Sequence, residues 1–180
     1  MAKKVQKKPG NVPEGAPAGI FINAQYLKDL SFENPNPLEA YKSDEKPEIK
    51  VSVNTVVKKL PDKAFEVTLD IKTEGKKKDK LSFIAEVSYA GIFTLNQVPA
   101  EHEKPLLLIE APRMLFPFAR YVLADVTRDG GYPPLMLNPI DFAALYRKQM
   151  EAKEKEKKIN LITKSYNYKL AYFSYIFLVY

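Results

Sequence analysis

The chain has 180 residues, no cysteine, one histidine and a formal net charge of +6 at pH 7. Its length suits one domain of about 130 to 150 residues with its own core. The absence of cysteine excludes disulfides and thiolate metal sites, and His102 alone cannot build a histidine cluster. We therefore expect a cytoplasmic protein that needs no metal and no cofactor.

The positive charge lies at the two ends of the chain. Residues 20–150 contain 18 basic and 18 acidic side chains, whereas residues 1–19 contain 4 and 1, and residues 151–180 contain 6 and 3. A nucleic-acid binder is expected to carry its cations on the folded face that follows the phosphates. We therefore predict no nucleic-acid partner and interpret the terminal lysines as solubilising.

The first 19 residues, MAKKVQKKPGNVPEGAPAG, contain the lysines of a signal peptide but no apolar stretch behind them. Their Pro, Gly and Lys content predicts a disordered basic arm. We expect neither secretion nor stable membrane insertion.

A period-two alternation of apolar and polar residues follows this arm and predicts four strands. The strands cover residues 20–33, 49–57, 65–72 and 81–89, with a proline-interrupted connection between the first two. In the first strand, the even-numbered side chains form the buried face. Tight turns are predicted at 61–63 and in the lysine-rich segment 74–80. The expected arrangement is an antiparallel meander with one polar face.

The charged side chains of these strands do not form a catalytic set. Glu48, Glu66 and Asp70 fall on the polar, solvated face, which disfavours general acid and base chemistry. The chain also lacks a recognisable pair of nucleophile and base. We predict that it is not an enzyme.

A first long helix is predicted behind three closely spaced prolines, Pro105, Pro112 and Pro117. Because proline is tolerated only in the first turn, we expect the regular helix to begin near Arg113. Gly130-Gly131 predicts its end. One apolar stripe runs along it, formed by Leu115, Phe118, Ala119, Val122 and Val126.

A second helix is predicted after Asn138, a good N-cap, and Pro139, which fits the first helical position. Four strands and two helices form two layers, which cannot bury both sides of the broadly apolar first helix within one subunit. We therefore predict self-association. The residues assigned to this oligomer interface are Leu115, Phe118, Val122 and Val126.

Several segments, in this order, resemble the motifs of SecB, the bacterial protein-export chaperone family. The segment YLKDLSFENP (26–35) is similar to the family's first-strand motif, and Gly91-Ile92-Phe93 to the motif that ends its fourth strand. The segments LFPFAR (115–120) and LMLNPIDFAALY (135–146) are similar to its two helix signatures. The resemblance covers residues 20–150, between the basic arm and a charged, then apolar extension at 151–180.

This resemblance implies an α+β fold, with a four-stranded antiparallel sheet and two C-terminal helices, assembled as a dimer of dimers. The first long helix would lie between the sheets at the dimer–dimer interface. The implied function is that of an ATP-independent holdase, which keeps unfolded secretory precursor proteins translocation-competent in the cytoplasm and delivers them to the export ATPase SecA. The alternative is a structural or adaptor protein whose apolar helices bind one fixed partner.

The resemblance to SecB assigns functions to two sets of residues. The client groove is assigned to the second helix, with the hydrophobic core as the alternative location for the same side chains: Phe142, Leu145, Tyr146 and Met150. The positions that match the SecA-contact residues of the family are Asp29, Glu33, Ile84 and Glu86. Alternation independently places the members of each strand on a shared face. Without the resemblance, three acids on a polar sheet face would indicate only solubility.

Two features depart from the family pattern. SecB proteins are usually strongly acidic, whereas residues 20–150 are neutral and both ends are basic, which weakens the expected attraction to SecA. The C-terminal segment INLITKSYNYKLAYFSYIFLVY is apolar and aromatic but too short to span a bilayer. It is a membrane-surface contact, a plug for the client groove, or an aggregation-prone addition without a role, and its composition favours the last.

Overall fold

The computed structural model describes residues 15–38, 47–78, 80–152 and 154–155. The basic arm up to residue 14 and the C-terminal extension from residue 156 lie outside the described residues. The chain divides into two compact units, Met1–Phe142 and Ala143–Tyr180. The first unit contains the sheet and the first long helix, and the second contains most of the last helix.

Four antiparallel strands form one sheet, as predicted. They are β1 (Gly19–Glu33), β2 (Glu48–Lys59), β3 (Ala64–Lys77) and β4 (Lys80–Asn96). The strand order is β1-β4-β3-β2, so β2 to β4 form a meander while β1 pairs with β4 and not with β2. Pro35 and Pro37 have no amide hydrogen to donate, which disfavours a tight hairpin after β1, and the long connection leads the chain to the far edge of the sheet.

The hairpin between β2 and β3 turns at the predicted residues. The Ala64 amide donates to the Pro61 carbonyl at 3.2 Å, and the two central residues, Asp62 and Lys63, have φ of 57° and 56°. Positive φ at both positions is the type I′ geometry, whose twist matches that of the flanking strands. The local sequence therefore determines this hairpin.

The two faces of the sheet differ in burial. The outer face carries the polar side chains that alternation predicted. The inner face packs against the first long helix, and its buried side chains include Val67, Leu69, Ile71, Phe83, Ala85, Val87 and Phe93.

Two β-bulges in β1 change which of its side chains face inward. The pairing of β1 with β4 skips Asn23 and Lys28, and each bulge adds one residue to β1. Between the bulges, Tyr26 lies opposite Ala90, an outer-face residue of β4. The even-numbered side chains therefore face inward at the two ends of β1 but not at Ala24 and Tyr26, which corrects the prediction.

The regular helix begins at Ala111, close to the predicted start near Arg113, but further helical structure, which was not predicted, precedes it from Ala100. The chain forms α1 (Ala100–Pro105), a π-helical segment (Leu106–Glu110) and α2 (Ala111–Asp129), with Pro117 inside α2. Tertiary packing of one side of α2 outweighs the hydrogen bonds that the prolines remove, which local propensity did not anticipate. The buried residues on that side are Ala111, Pro112, Leu115, Phe116, Ala119, Leu123 and Thr127.

The glycine pair ends α2 as predicted. Gly131 has a φ of 87°, and the Tyr132 amide donates to the Thr127 carbonyl at 3.0 Å, as in a Schellman motif. The Tyr132 side chain then returns to the sheet, where its hydroxyl lies 2.9 Å from the Ser82 carbonyl oxygen and its ring centroid lies 4.8 Å from that of Phe83. The end of α2 is thereby joined to β4.

The last helix, α3, comprises residues 142–152 and continues at 154–155. Asn138 and Pro139 lie in a segment without regular secondary structure, so the helix begins about one turn later than predicted. Asp141 directly precedes the helix and is also a preferred N-cap residue, which explains the shift. Within the described ranges, none of the helices has the length and apolar character needed to cross a membrane.

Candidate functional surfaces

The outer face of the sheet brings together the four residues assigned to SecA contact. In the β1–β4 register, Glu33 lies opposite Ile84 and Asp29 lies opposite Ser88. Glu86 lies between Ile84 and Ser88 on the same side of β4. Strand pairing thus places Asp29, Glu33, Ile84 and Glu86 on one surface, which we call the acidic face.

One lysine of β3 lies within the acidic face. Lys72 is opposite Glu86, and its Nζ lies 2.5 Å from Glu86 Oε1 and 3.9 Å from Glu74 Oε1. The hydrogen bond and charge of Glu86 raise the pKa of Lys72. Because Lys72 and Glu86 are both well exposed, solvent screens their attraction. Lys72 therefore offsets part of the negative charge of the acidic face while its carboxylates stay accessible.

A polar groove of about 350 Å³ runs along this face. Ser88 Oγ, in its lining, donates to Asp70 Oδ1 at 2.6 Å. Carboxylates and hydroxyls in this arrangement suit a basic or polar partner surface. In the described part of the chain, no group of three or more His, Cys, Asp or Glu side chains could hold a metal ion.

A hydrogen-bonded cluster on the outer face was missed by the sequence analysis. Tyr26 donates to Glu66 Oε1 at 2.5 Å, and Lys28 Nζ lies 3.0 Å from Glu66 Oε2. The hydrogen bond to Glu66 is the largest cause that raises the pKa of Tyr26 to about 12, and the hydrogen bonds from Tyr26 and Lys28 lower the pKa of Glu66. A carboxylate with a lowered pKa is a poor proton donor or acceptor at neutral pH. The cluster joins β1 to β3 across the outer face.

An apolar groove of about 420 Å³ lies between β1 and α2, and we call it the β1–α2 groove. Its lining includes Ile22, Ala24, Met114 and Phe118. The Phe118 ring stacks on that of Tyr89 at a centroid distance of 5.9 Å, but 44% of Phe118 remains exposed. β1 is also an edge strand of the sheet. Apolar side chains beside a strand edge are typical of a surface that pairs with another chain.

The residues predicted to form an oligomer interface differ in exposure. Leu115 is 0% exposed within the chain, so it belongs to the core and not to an interface, which corrects the prediction. Phe118 is exposed, and Val122 and Val126 are half-buried. Tyr121 is 69% exposed and extends the apolar side of α2 that faces away from the core.

Exposed apolar side chains on β1 were not predicted. Ile22, Leu27 and Leu30 are all exposed, although the alternation of β1 had placed Ile22 and Leu30 on a buried face. These side chains are exposed because β1 is an edge strand. The alternation of apolar and polar residues does not show which strand lies at the edge of a sheet, so this exposure could not be predicted. Met114, Phe118 and Tyr121 on α2 are exposed as well, so both β1 and α2 carry exposed apolar side chains.

The α3 residues assigned to the client groove also differ in burial. Phe142 is 2% exposed, and its ring contacts that of Phe116 edge to face at a centroid distance of 6.0 Å. Phe142 therefore belongs to the core and leaves the predicted groove. Leu145 and Tyr146 are half-buried, and Met150 is 40% exposed. These three residues form what we call the α3 surface, on which Tyr146 and Met150 are four residues apart and share one side of the helix.

Comparison with known proteins identifies one family. Residues 14–153 match the family model described as preprotein translocase subunit SecB. The protein-export protein SecB of Bradyrhizobium diazoefficiens is 47% identical over 144 residues, which are 79% of this chain and 89% of that protein. The protein-export protein SecB of Rhodospirillum rubrum is 46% identical over 145 residues, or 80% and 90% of the two chains.

The fold has a counterpart among solved structures. The chain is similar to a SecB-like chaperone of Mycobacterium tuberculosis, solved in complex with a peptide from an antitoxin. The TM-score is 0.55 at 18% sequence identity, and the match covers 68% of this chain and 88% of the other. At this identity the likeness supports the fold alone.

Proposed function

The chain belongs to the SecB family of protein-export chaperones, which are not enzymes, and on this premise we propose that it is an ATP-independent holdase of the cytoplasm. It binds unfolded secretory precursor proteins, keeps them competent for translocation and delivers them to the export ATPase SecA. The observation that carries the proposal is the exposed apolar side of α3, in a chain that matches the family over residues 14–153.

Client binding follows from the chemistry of these surfaces. An unfolded precursor exposes apolar side chains and backbone groups, so a broad apolar surface can hold many sequences through many weak contacts. Methionine suits such a surface because its unbranched, polarisable side chain adapts to different partners. Met150, on the α3 surface, is exposed.

The α3 surface is tested by the double variant Leu145→Ser, Tyr146→Ser. Loss of two partly buried apolar side chains from a binding surface is expected to weaken client binding by about tenfold or more. The measurement is the Kd of a chemically denatured protein, with light scattering to show that the oligomer is intact. Val56→Ser removes an exposed apolar side chain from β2 and is the matched control. Unchanged client affinity in the double variant would refute the assignment.

For delivery, we infer that SecA binds the acidic face. Asp29, Glu33 and Glu86 supply carboxylates, and Ile84 supplies an apolar side chain among them. A partner surface with basic groups around an apolar pocket complements this arrangement. Ile84 anchors the contact, and the surrounding charges set its orientation and its dependence on salt.

Charge reversal tests this assignment. Asp29→Lys with Glu86→Lys should abolish the complex with SecA, because two attractive contacts become repulsive. The matched control reverses two exposed acids away from the acidic face, Asp62→Lys and Glu101→Lys. Retention of SecA affinity by the first double variant at moderate salt would exclude the acidic face.

We further propose that the protein assembles as a homotetramer, a dimer of dimers, that covers the β1–α2 groove. The support is the edge position of β1 and the exposure of Phe118 and Tyr121 beside it. A stable interface buries about 800 Å² on each partner. The exposed apolar side chains of β1 and α2 would contribute part of this buried area. A monomeric mass at micromolar concentration, measured by analytical ultracentrifugation, would contradict the assembly.

The second candidate function is that of an adaptor. The same exposed side chains would also serve a single fixed partner. The two functions differ in breadth, because a holdase binds unrelated unfolded proteins whereas an adaptor binds one folded or unfolded partner.

A further inference from the structure

We propose that residues 159–180 occupy the α3 surface of their own chain when no client is bound. This inference rests on the proposed function, because the α3 surface is the one assigned to clients. The occupant is thus a segment of the chain itself, which lies outside the described residues.

The segment lies outside the part of the chain shared with the family. The family match ends at residue 153. The two SecB relatives described above are covered over 89% and 90% of their lengths, but they match only 79% and 80% of this chain. Residues 159–180 are therefore an addition to the shared fold, and changing them leaves the shared residues intact.

The segment has the chemistry of a client. Residues 170–180 read LAYFSYIFLVY, in which Ser174 is the only residue that is neither apolar nor aromatic. Lys164 and Lys169 precede this run. A surface that selects for apolar area and not for sequence cannot discriminate against such a segment.

The α3 surface lies close to the start of the segment. At about 1.5 Å per helical residue, Met150 lies about 8 Å and Leu145 about 15 Å along α3 from residue 155, where the described helix stops. Fourteen residues, 156–169, connect residue 155 to the apolar run, and a random-coil chain of that length has a root-mean-square end-to-end distance of about 20 Å. The apolar run can therefore fold back onto both residues. Composition alone favoured an aggregation-prone addition without a role. The exposed apolar side chains of the α3 surface, however, are close enough for residues 159–180 to contact them.

Tethering makes this contact effective even when it is weak. A short flexible connection gives an effective concentration of about 1 mM. If the free segment binds with a Kd of about 10 to 100 µM, the α3 surface is mostly occupied, and client affinity falls about 10- to 100-fold. A client must then compete with the segment, so weak or folded proteins are excluded while long unfolded chains with many contacts still bind.

The test uses the full chain. Phe173→Ser, Ile176→Ser and Phe177→Ser together remove apolar area from the segment at constant length, and Lys164→Ser, Asn167→Ser and Lys169→Ser together are the matched control. The Kd of a fluorescent, reduced and carboxymethylated model protein is measured for both variants and the wild type. The first variant is expected to bind this client about 10- to 100-fold more tightly, and the control as the wild type does. A synthetic peptide of residues 159–180 should then compete with the client for the first variant.

Each other outcome overturns the inference in a recognisable way. Equal client affinity for the wild type and the first variant removes the inference and leaves the proposed function standing. Absence of client binding by all three proteins removes both. If client affinity is equal but the first variant no longer sediments with anionic phospholipid vesicles as the wild type does, the segment is a membrane contact. If client affinity is equal but the first variant aggregates less than the wild type, measured by light scattering, the segment is an aggregation-prone addition.

Discussion

Leu115→Ala and Phe118→Ala, one turn apart on α2, should act through different physical causes. Leu115 is buried between the helix and the sheet, where a methyl group added at Gly91 would lie 2.9 Å from Leu115 Cδ2. Phe118 contacts Tyr89 on one side and is open on the other. We therefore expect the first substitution to destabilise each protomer and the second to weaken association between protomers.

The expected magnitudes separate the two variants. Truncating a fully buried leucine costs about 3 to 5 kcal/mol, from lost transfer free energy and the remaining cavity. For a domain of this size, that corresponds to a decrease in Tm of about 6 to 20 °C. Phe118→Ala loses a stacked ring contact worth about 1 kcal/mol within the chain. Its main expected effect is weaker association between protomers, because it removes exposed apolar area.

Thermal unfolding and ultracentrifugation over a hundredfold range of protein concentration distinguish the two effects. A loss from the core lowers the Tm by a similar amount at every concentration, whereas a loss from an interface acts through mass action and makes both mass and Tm more dependent on concentration. If Leu115→Ala kept the wild-type Tm and shifted only the association equilibrium, the placement of Leu115 in the core would be refuted.

Two further predictions concern the charged groups of the outer face. Lys72→Ala removes the cation within the acidic face and should raise SecA affinity several-fold at low salt, with the gain lost near 0.5 M salt because of screening; weaker binding would show instead that Lys72 contacts SecA. The hydrogen bonds from Tyr26 and Lys28 lower the pKa of Glu66 below its ordinary value, so its contribution to stability is present above the ordinary pKa and is lost as the pH falls through the folded-state pKa. Glu66→Gln should therefore lower the urea midpoint at pH 7 by more than at pH 3, and an equal decrease at the two pH values would contradict the role given to its carboxylate.

Local patterns predicted the strands and turns but not how the strands are ordered. The type I′ turn at Asp62 and Lys63 and the glycine stop at Gly131 depend on neighbouring residues, so the sequence contains their signals. The pairing of β1 with β4 joins residues that are distant in sequence, from Glu33 with Ile84 to Gly19 with Asn96, and neither alternation nor turn chemistry encodes such a choice.

The acidic face could be grouped from the sequence because Asp29 and Glu33 both lie beyond the second bulge of β1. Alternation is unbroken over that stretch, so counting by two gives the correct face. Tyr26 lies between the bulges, and the same counting fails there. The Tyr26–Glu66–Lys28 cluster was missed for this reason.

Burial at single positions was the least predictable property. Leu115 and Phe142 are buried, whereas the equally apolar Phe118 and Met150 are exposed. The position of a residue on an apolar helical stripe does not show which other residues pack against it. The π-helical segment, in which Leu107 is buried, likewise depends on tertiary contacts. The sequence thus predicted the helices that carry exposed apolar side chains, but not which of their side chains are exposed.

Aggregation of several unrelated denatured proteins, measured by light scattering with the full chain and without ATP, tests the proposed holdase function most directly. We expect the chain to suppress the aggregation of each protein and to hold it in a soluble complex. Suppression of a single protein, or of none, would contradict the holdase and favour the adaptor.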